Sequence, residues 1–375
     1  MTIVFAAGLQ RLIKPAVARA IAMVARAIAM VALSVAVLAA LLIATGHDVG
    51  AALSALARGA FGSSYAFTSA TLVRAIPLAL AGLAVAIAFR AGILNIGAEG
   101  QLLVGATAAA AIALVATSHG GVPPAVVIVL MVGAGAVAGA LWAGVAALLK
   151  QRFGVLEVIS TIMLNFLALN LVGYLVRGPL QEPTRINPQS ETLPTALQLP
   201  VLLPGTRLHV GVLLTIALAI IAWWWLRETA GGFRVRAVGE NPTAAASAGQ
   251  IDVAKTVTKA FLLSGALAGL AGSVEYTGVT YAMYDNFSPG YGYTAIAVAL
   301  LARLNPLGVL ATALLFGALE AGANAMQRDA GVPNVVVSVV EATLILLVVA
   351  ADRWNERAVS TENASVPRAL AKAGE

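Results

Sequence analysis

Charge-poor apolar runs of roughly 17–25 residues recur along this chain, each long enough for a helix to cross a hydrocarbon core. That recurrence limits the fold more than any motif does. Within a bilayer every backbone N–H and C=O needs a partner in the protein, which leaves helices or closed barrels. The runs are continuously apolar rather than alternating, so a barrel is excluded. Sixty per cent of the 375 residues are apolar, 11% are charged, and the mean hydropathy is +0.91. Soluble domains carry about 25% charged residues, and one with this composition would aggregate. The chain therefore reads as all-α, a polytopic transmembrane helical bundle.

Ten spans follow from the runs: 27–45, 71–89, 102–117, 124–149, 155–176, 209–226, 258–282, 293–304, 307–326 and 333–351. The eighth is short and either crosses or re-enters. With the N-terminus inside, 17 of the 23 Lys and Arg residues lie inside, against Arg58, Arg74, Arg177, Arg185, Arg207 and Arg328 outside. Short basic loops stay cytoplasmic, so both termini are expected inside. The net charge of +6 thus records topology, and nucleic acid is not expected as a partner. Residues 1–26 read as a cytoplasmic basic lead-in with a heptad repeat over 18–31, ahead of a retained first span; a cleaved signal peptide is the alternative. The membrane domain covers 27–352, and 353–375 form a cytoplasmic tail.

Two external segments stand out. Residues 46–70 are rich in Gly and Ser, with Phe61, Tyr65 and Phe67 suited to the membrane interface. Residues 177–208 hold six prolines and are expected to form a turn-rich cap rather than a span. The Trp223-Trp-Trp225 triplet before Arg227 is placed as a cytoplasmic aromatic anchor.

Three polar islands interrupt the apolar pattern. In the loop 227–257, Asn241 is a good N-cap, Pro242 suits the first helical position, and Gly249 is expected to close the helix left-handed. The helix between them is too short to be stable alone, so it is read as a docking element for a cytoplasmic partner. The second island, 89–101, breaks helix continuity with Gly92, Gly97 and Gly100 and adds Asn95, Glu99 and Gln101; it is either a transport-path segment or a plain turn. In the fifth span Glu157, Thr161 and Asn165 share a face. Glu157 is either an intramembrane functional acid or an interfacial residue near Arg152, and Asn165 is either path or interhelical glue. The third island follows Glu275 and Tyr276 and carries Tyr281, Tyr284, Tyr291 and Tyr293 around Asn286–Gly290, rings able to stack on a flat or sugar-like solute. Glu320 and Asn324 stand at i, i+4 in the ninth span.

Several chemistries are excluded. No lysine follows a glycine, so there is no phosphate-binding loop and no ATP site of that kind. The chain has no cysteine. His47, His119 and His209 lack metal spacing and are read as surface or interface residues. No nucleophile–base constellation appears, so the chain is not expected to be an enzyme.

Together these islands resemble the permeases of bacterial ABC importers in the simple-sugar/branched-chain amino acid permease group. The similarity is strongest to the nucleoside-transporting branch served by basic-membrane-protein lipoproteins. It is carried by Phe89-Arg-Ala-Gly-Ile-Leu-Asn-Ile-Gly-Ala-Glu-Gly-Gln101, Glu157-Val-Ile-Ser-Thr-Ile-Met-Leu-Asn165, Arg236-Ala-Val-Gly-Glu-Asn-Pro242 and Ser288-Pro-Gly-Tyr-Gly292 running into 296–301. The linked order of the four covers about residues 70 to 352. The resemblance implies a permease half in the bacterial inner membrane. It would pair with a second permease as a hetero-dimer, dock separate ATPase subunits that bind the ATP and Mg, and receive solute from an extracellular solute-binding lipoprotein. Gly239, Glu240, Asn241, Pro242, Ala245, Ala246 and Gly249 would then form the ATPase-coupling helix. Asn95, Glu99, Gln101, Asn165, Glu275, Tyr276, Tyr281, Glu320 and Asn324 are the translocation-path candidates. One departure is visible: Thr294 and Arg303 stand where the family pattern has polar or acidic residues and glycines, which keeps simple sugars open as the substrate. The rivals are an ion-coupled secondary transporter using Glu99, Glu157 or Glu320, and a structural membrane protein.

Overall fold

The computed structural model describes residues 32–346 apart from positions 34, 334, 337, 340, 341, 344 and 345. The heptad repeat, Glu341, the tail and most of the tenth expected span lie outside the described residues. These residues fall into two compact units, one of residues 56–324 and one of the segments flanking it. The site lies in residues 56–324.

Among the described residues the only regular elements are helices, with the isolated bridges Gln189–Tyr284 and Val201–His209 besides. In chain order the helices are α1 (Val35–Ala44), α2 (Val49–Phe61), α3 (Ala66–Arg90), α4 (Ala98–His119), α5 (Pro124–Phe153), α6 (Glu157–Val176), α7 (Gly211–Glu228), α8 (Ala230–Glu240), α9 (Pro242–Gly249), α10 (Val253–Thr280), α11 (Tyr291–Leu301) and α12 (Pro306–Ala330). Seven of them, α3 to α7, α10 and α12, are long and apolar enough to cross a membrane. At 1.5 Å per residue, α11 is only about 16 Å long, half of a hydrocarbon core.

Within the bundle α3 is central: every residue from Ala75 to Ala88 is buried. Around it α10 packs on α5 and α4 through small residues. A Cβ at Gly105 would strike Gly269, one at Gly139 would strike Gly265 and Gly269, and one at Gly135 would strike Ser273. Close backbone approach of this kind drives helix association where lipid removes the hydrophobic contrast. The buried stripe of α5 (Val127, Met131, Gly135, Gly139, Ala143) recurs every four residues, while Val129, Val137 and Leu141 on its other side are at least 60% exposed. That outer side suits lipid.

Two helices change pitch. Residues Ala66–Leu72 of α3 and Tyr276–Thr280 of α10 are wound as wider, π-helical turns. Such turns re-aim side chains and recur at functional sites.

The polar contacts sort the connections into two ends. At one, Arg90 donates to the carbonyls of Leu304 (3.2 Å) and Arg303 (3.1 Å), and Gln151 donates to Ala254 O (3.0 Å). At the other, Arg207 N–H donates to Ser69 Oγ (3.0 Å) and its guanidinium to Val279 O (2.9 Å), and Arg177 pairs with Asp285. Residues 281–304 therefore run from one end of α3 to the other, the first half irregular and the second as α11.

Residues 177–208 form a turn-rich cap with one short turn of helix, Thr195–Leu197, as expected. Its Ser190 and Leu193 N–H groups donate to Met283 and Tyr281 carbonyls, both at 2.7 Å. Hydrogen bonds from Gln189 and the Asn187 N–H hold the Glu182 carboxyl below its ordinary range.

Three expectations are corrected. Gly249 does not take the left-handed conformation; Gln250 does, at φ 49°, because the helix runs one residue further before Ile251 N–H closes onto Ala245 O at 3.2 Å. His209 is not a surface residue but 1% exposed, its ring set against Gly211 and Gly278, which have no side chains to exclude it. Residues 46–70 are largely helical, and α3 begins at Ala66 rather than 71.

Candidate functional site

The segment between α3 and α4, residues 91–97, turns back under Gly92 (φ +72°) and carries an enclosed polar network. Asn95 is fully buried and exchanges hydrogen bonds with Gln101 at 3.1 and 3.0 Å. Its amide also donates to Ser264 Oγ at 2.9 Å, and its Oδ1 accepts from Gly97 N–H at 3.0 Å. Asn165 reaches in from α6: it donates to Ile96 O (2.9 Å) and to Tyr293 Oη (3.3 Å) and accepts from Gly100 N–H (2.8 Å). Asn165 is thus interhelical glue that satisfies non-helical backbone at depth, as such backbone requires. Glu99 completes the network. It accepts from Gly292 N–H at 2.7 Å and from the Ser288 hydroxyl, which fixes the start of α11 to the start of α4. A Cβ at Gly292 would fall on the Glu99 backbone, so only glycine permits this approach.

Bordered by both wide turns lies a cavity of about 370 Å³. Ser69 enters it from the first wide turn and Val73 and Arg74 just after that turn; Glu275, Val279 and Thr280 enter around the second. Tyr284, Asn286, Phe287 and Pro289 come from the irregular segment after α10, Tyr291 from the start of α11, Arg207 from the cap and Glu320 from α12. The Arg74 guanidinium stands 3.6 Å from Glu320. Glu275 is 3% exposed, and its Oε2 has no hydrogen-bond partner. Tyr284 and Phe287 form a tilted ring pair with centroids 5.9 Å apart. The volume falls in the roughly 300–1,000 Å³ range of small-molecule sites, and the lining pairs aromatic surface with convergent polar groups as such sites do.

The predicted residues thus separate into two groups joined by the 288–292 turn. Asn95, Gln101 and Asn165 are enclosed and satisfied; Glu275 and Glu320 line the cavity. Tyr276 is buried beside the cap instead, Tyr281 donates to Gly278 O (3.0 Å), and the Asn324 amide donates to Glu320 O (3.0 Å). Glu157 pairs with Lys150 at 3.0 Å, which fits its interfacial reading with Lys150 in place of Arg152. Sequence reasoning passed over Arg74, Arg207 and Phe287 as site residues, whereas Tyr284 stood among the rings read as able to stack on a solute. Arg74 carried a signal, a charge within the expected span 71–89, which marks a functional position.

At the Arg90 end the polar island folds as two helices. Thr229 caps α8, its Oγ1 accepting from Gly232 N–H at 3.1 Å, and Val235 packs among Ala88, Ile93, Ala146, Leu226 and Phe261. Gly239 lies on the Arg90 carbonyl and Gly92, where a Cβ would not fit. Asn241 caps α9 by accepting from Ala244 N–H at 3.0 Å, as expected. In α9 Ala245 is buried, while Pro242, Ala246 and Gly249 are exposed, as are Glu240 and Asn241 before it. Beside them opens a second cavity, about 420 Å³, with Arg234, Lys255 and Lys259 on its wall. It lies at the Arg90 end of the bundle, and Asp252 and the buried Thr256 share its wall.

The sequence pattern of the family described as "Branched-chain amino acid transport system / permease component" matches residues 67–349. The guanosine ABC transporter permease protein NupP of Bacillus subtilis is 40% identical over 314 residues, 83% of this chain and 88% of that one. The glucose ABC transporter permease protein TsgB13 of Haloferax volcanii is 38% identical over 75% of each chain. The nucleoside ABC transporter permease protein NupB of Lactococcus lactis is 33% identical over 72% of this chain and 76% of that one. In each of these organisms a second permease protein also matches. No solved structure matches at a significant level. With its seven span-length helices, this chain is a multi-pass protein of the bacterial inner membrane and belongs to the branched-chain amino acid transport system permease family.

Proposed function

We propose that the chain is the membrane-spanning permease of an ABC importer that moves nucleosides or related neutral solutes inward. The observation that carries this reading is the cavity at Glu275, with its ring pair and its mixed donors and acceptors, in a chain 40% identical to a guanosine permease. ATP and Mg are bound by separate ATPase subunits. The matched pairs of permeases in three organisms support a hetero-dimer with a second permease. An extracellular solute-binding lipoprotein delivers the solute to the Arg177–Arg207 end. The chain crosses about ten times with both termini inside; 1–26 and 353–375 are cytoplasmic flanks of the membrane domain 27–352, the loop 227–257 is inside and the cap 177–208 outside.

The contacts suggest how force travels. The exposed surface of α9, with Glu240, Asn241, Pro242 and Ala246, enters the ATPase. Movement of α9 passes through α8 and the Gly239–Gly92 contact to residues 91–97. From there Glu99 carries it to Gly292 and the cavity floor. Alternation between outward and inward access follows from shifting that floor.

Simple sugars stand as the second reading, on the 38% identity to a glucose permease. Ion coupling through Glu99, Glu157 or Glu320 is disfavoured because each is already held, by Gly292, Lys150 and Arg74. The test is uptake by the complete transporter in proteoliposomes: guanosine accumulation should require ATP and ignore a proton uncoupler. Accumulation without ATP that collapses with the uncoupler would sink the reading. Replacing Glu240, Asn241 and Pro242 together with Ala should abolish ATPase association while leaving membrane insertion intact.

A further inference from the structure

We propose that Glu275 grips two adjacent hydroxyls of the solute, so the cavity selects solutes by a vicinal diol. This rests on the transport reading above and adds to it the group that reads the solute.

Among the acids of the cavity Glu275 alone has a buried oxygen without a partner. Glu320 faces Arg74 at 3.6 Å, whereas Glu275 Oε2 accepts nothing. A buried acceptor left unpaired is unfavourable, and a ligand hydroxyl would supply its partner. Two carboxyl oxygens on one carbon match two neighbouring O–H donors. The wide turn after Glu275 turns the next residues toward the same space, where Thr280 and Val279 line the wall.

Charge sets the class of ligand. Arg74 and Arg207 share the lining with Glu275 and Glu320, a mixed set that offers donors and acceptors together and favours a neutral polar solute over an ion. The Tyr284–Phe287 pair offers apolar ring surface, which takes either a base or the C–H face of a sugar. The relatives are named for guanosine, nucleosides and glucose. These solutes differ in ring chemistry and share adjacent hydroxyls.

The experiment measures binding to the permease with its partner permease in nanodiscs, by ligand-observed NMR. The paired probes are guanosine against 2′,3′-dideoxyguanosine, and methyl glucoside against methyl 3-deoxyglucoside, in which no two remaining hydroxyls are adjacent. The wild type should favour the diol partner of a pair at least about tenfold, since a site built to bond a hydroxyl rejects the analogue lacking it. Glu275→Gln should erase that preference and leave the deoxy analogues bound as before, whereas Glu320→Gln should keep it. Equal binding of both members of each pair by the wild type overturns the proposal without any variant. So does absence of binding in both series, or equal weakening of diol and deoxy ligands by Glu275→Gln. Diol selection confined to the sugar pair would overturn the nucleoside reading and leave Glu275 in its role. Diol selection without ATP-driven uptake would overturn only the transport reading.

Discussion

His209 packs into a slot that two glycines leave open, with Nδ1 accepting from Gly211 N–H at 3.2 Å and Nε2 unpartnered. Burial first, and Arg207 second, lower its pKa from 6.5 to about 4. The folded protein therefore holds the ring neutral where an opened segment would protonate it. Stability from this group is full above pH 6.5 and is lost as pH falls from 6.5 toward 4, at up to roughly 1.4 kcal/mol per unit. Hydrogen exchange of residues 199–211, corrected for intrinsic rates, should show local opening at pH 5 that is absent at pH 7. His209→Gln should flatten that dependence; an unchanged profile would mean the ring does not report on opening. The sequence placed His209 at a span end but not inside, because burial depended on Gly278, nearly seventy positions away. Asn165 was more legible: an amide deep in an apolar helix needs partners, and the structure supplies them from residues 96 and 100. Glu275 was visible as an acid near a span end, whereas Arg74 and the Tyr284–Phe287 pair join it only through folding.

At the scale of elements, α9 was legible because capping is local chemistry: Asn241 and Pro242 announce a start within two residues. Its partner α8 was not, since its stripe of Gly232, Val235 and Val238 is short and apolar only on one side. The two wide turns left no signal either, because their pitch follows from what packs around Ser69 and Val279 and not from any residue's preference. Gly239 is where element-scale and residue-scale demands meet. Any side chain there would press on the Arg90 carbonyl, and overpacking of this kind costs about 1–3 kcal/mol. Gly239→Ala should leave insertion and ATPase association near normal, since α9 itself is untouched, yet cut ATP-driven uptake at least severalfold. Normal uptake in that variant would remove the Gly239–Gly92 contact from the coupling route.

For the whole molecule, the class and most spans were readable because bilayer thickness imposes one length on every crossing, and that length repeats in the sequence. The connection through 281–304 was legible only in its second half, since the first half is irregular backbone held by Glu99, Ser288 and the cap rather than an apolar run. Sidedness rests on basic residues alone, and the two ends of α3 give it a direct test. The chain contains no cysteine, so single cysteines can be placed without building a background-free variant first. Thr206→Cys lies half-exposed in the cap beside Arg207; Ser247→Cys lies on the exposed side of α9. Both are far from the small-residue contacts of α4, α5 and α10, so neither should disturb the bundle. In intact spheroplasts a membrane-impermeant maleimide should label Thr206→Cys and spare Ser247→Cys, and lysis should expose the second site. The reverse pattern would place α9 outside, separate it from any cytoplasmic ATPase, and remove the basis for coupling through Gly239.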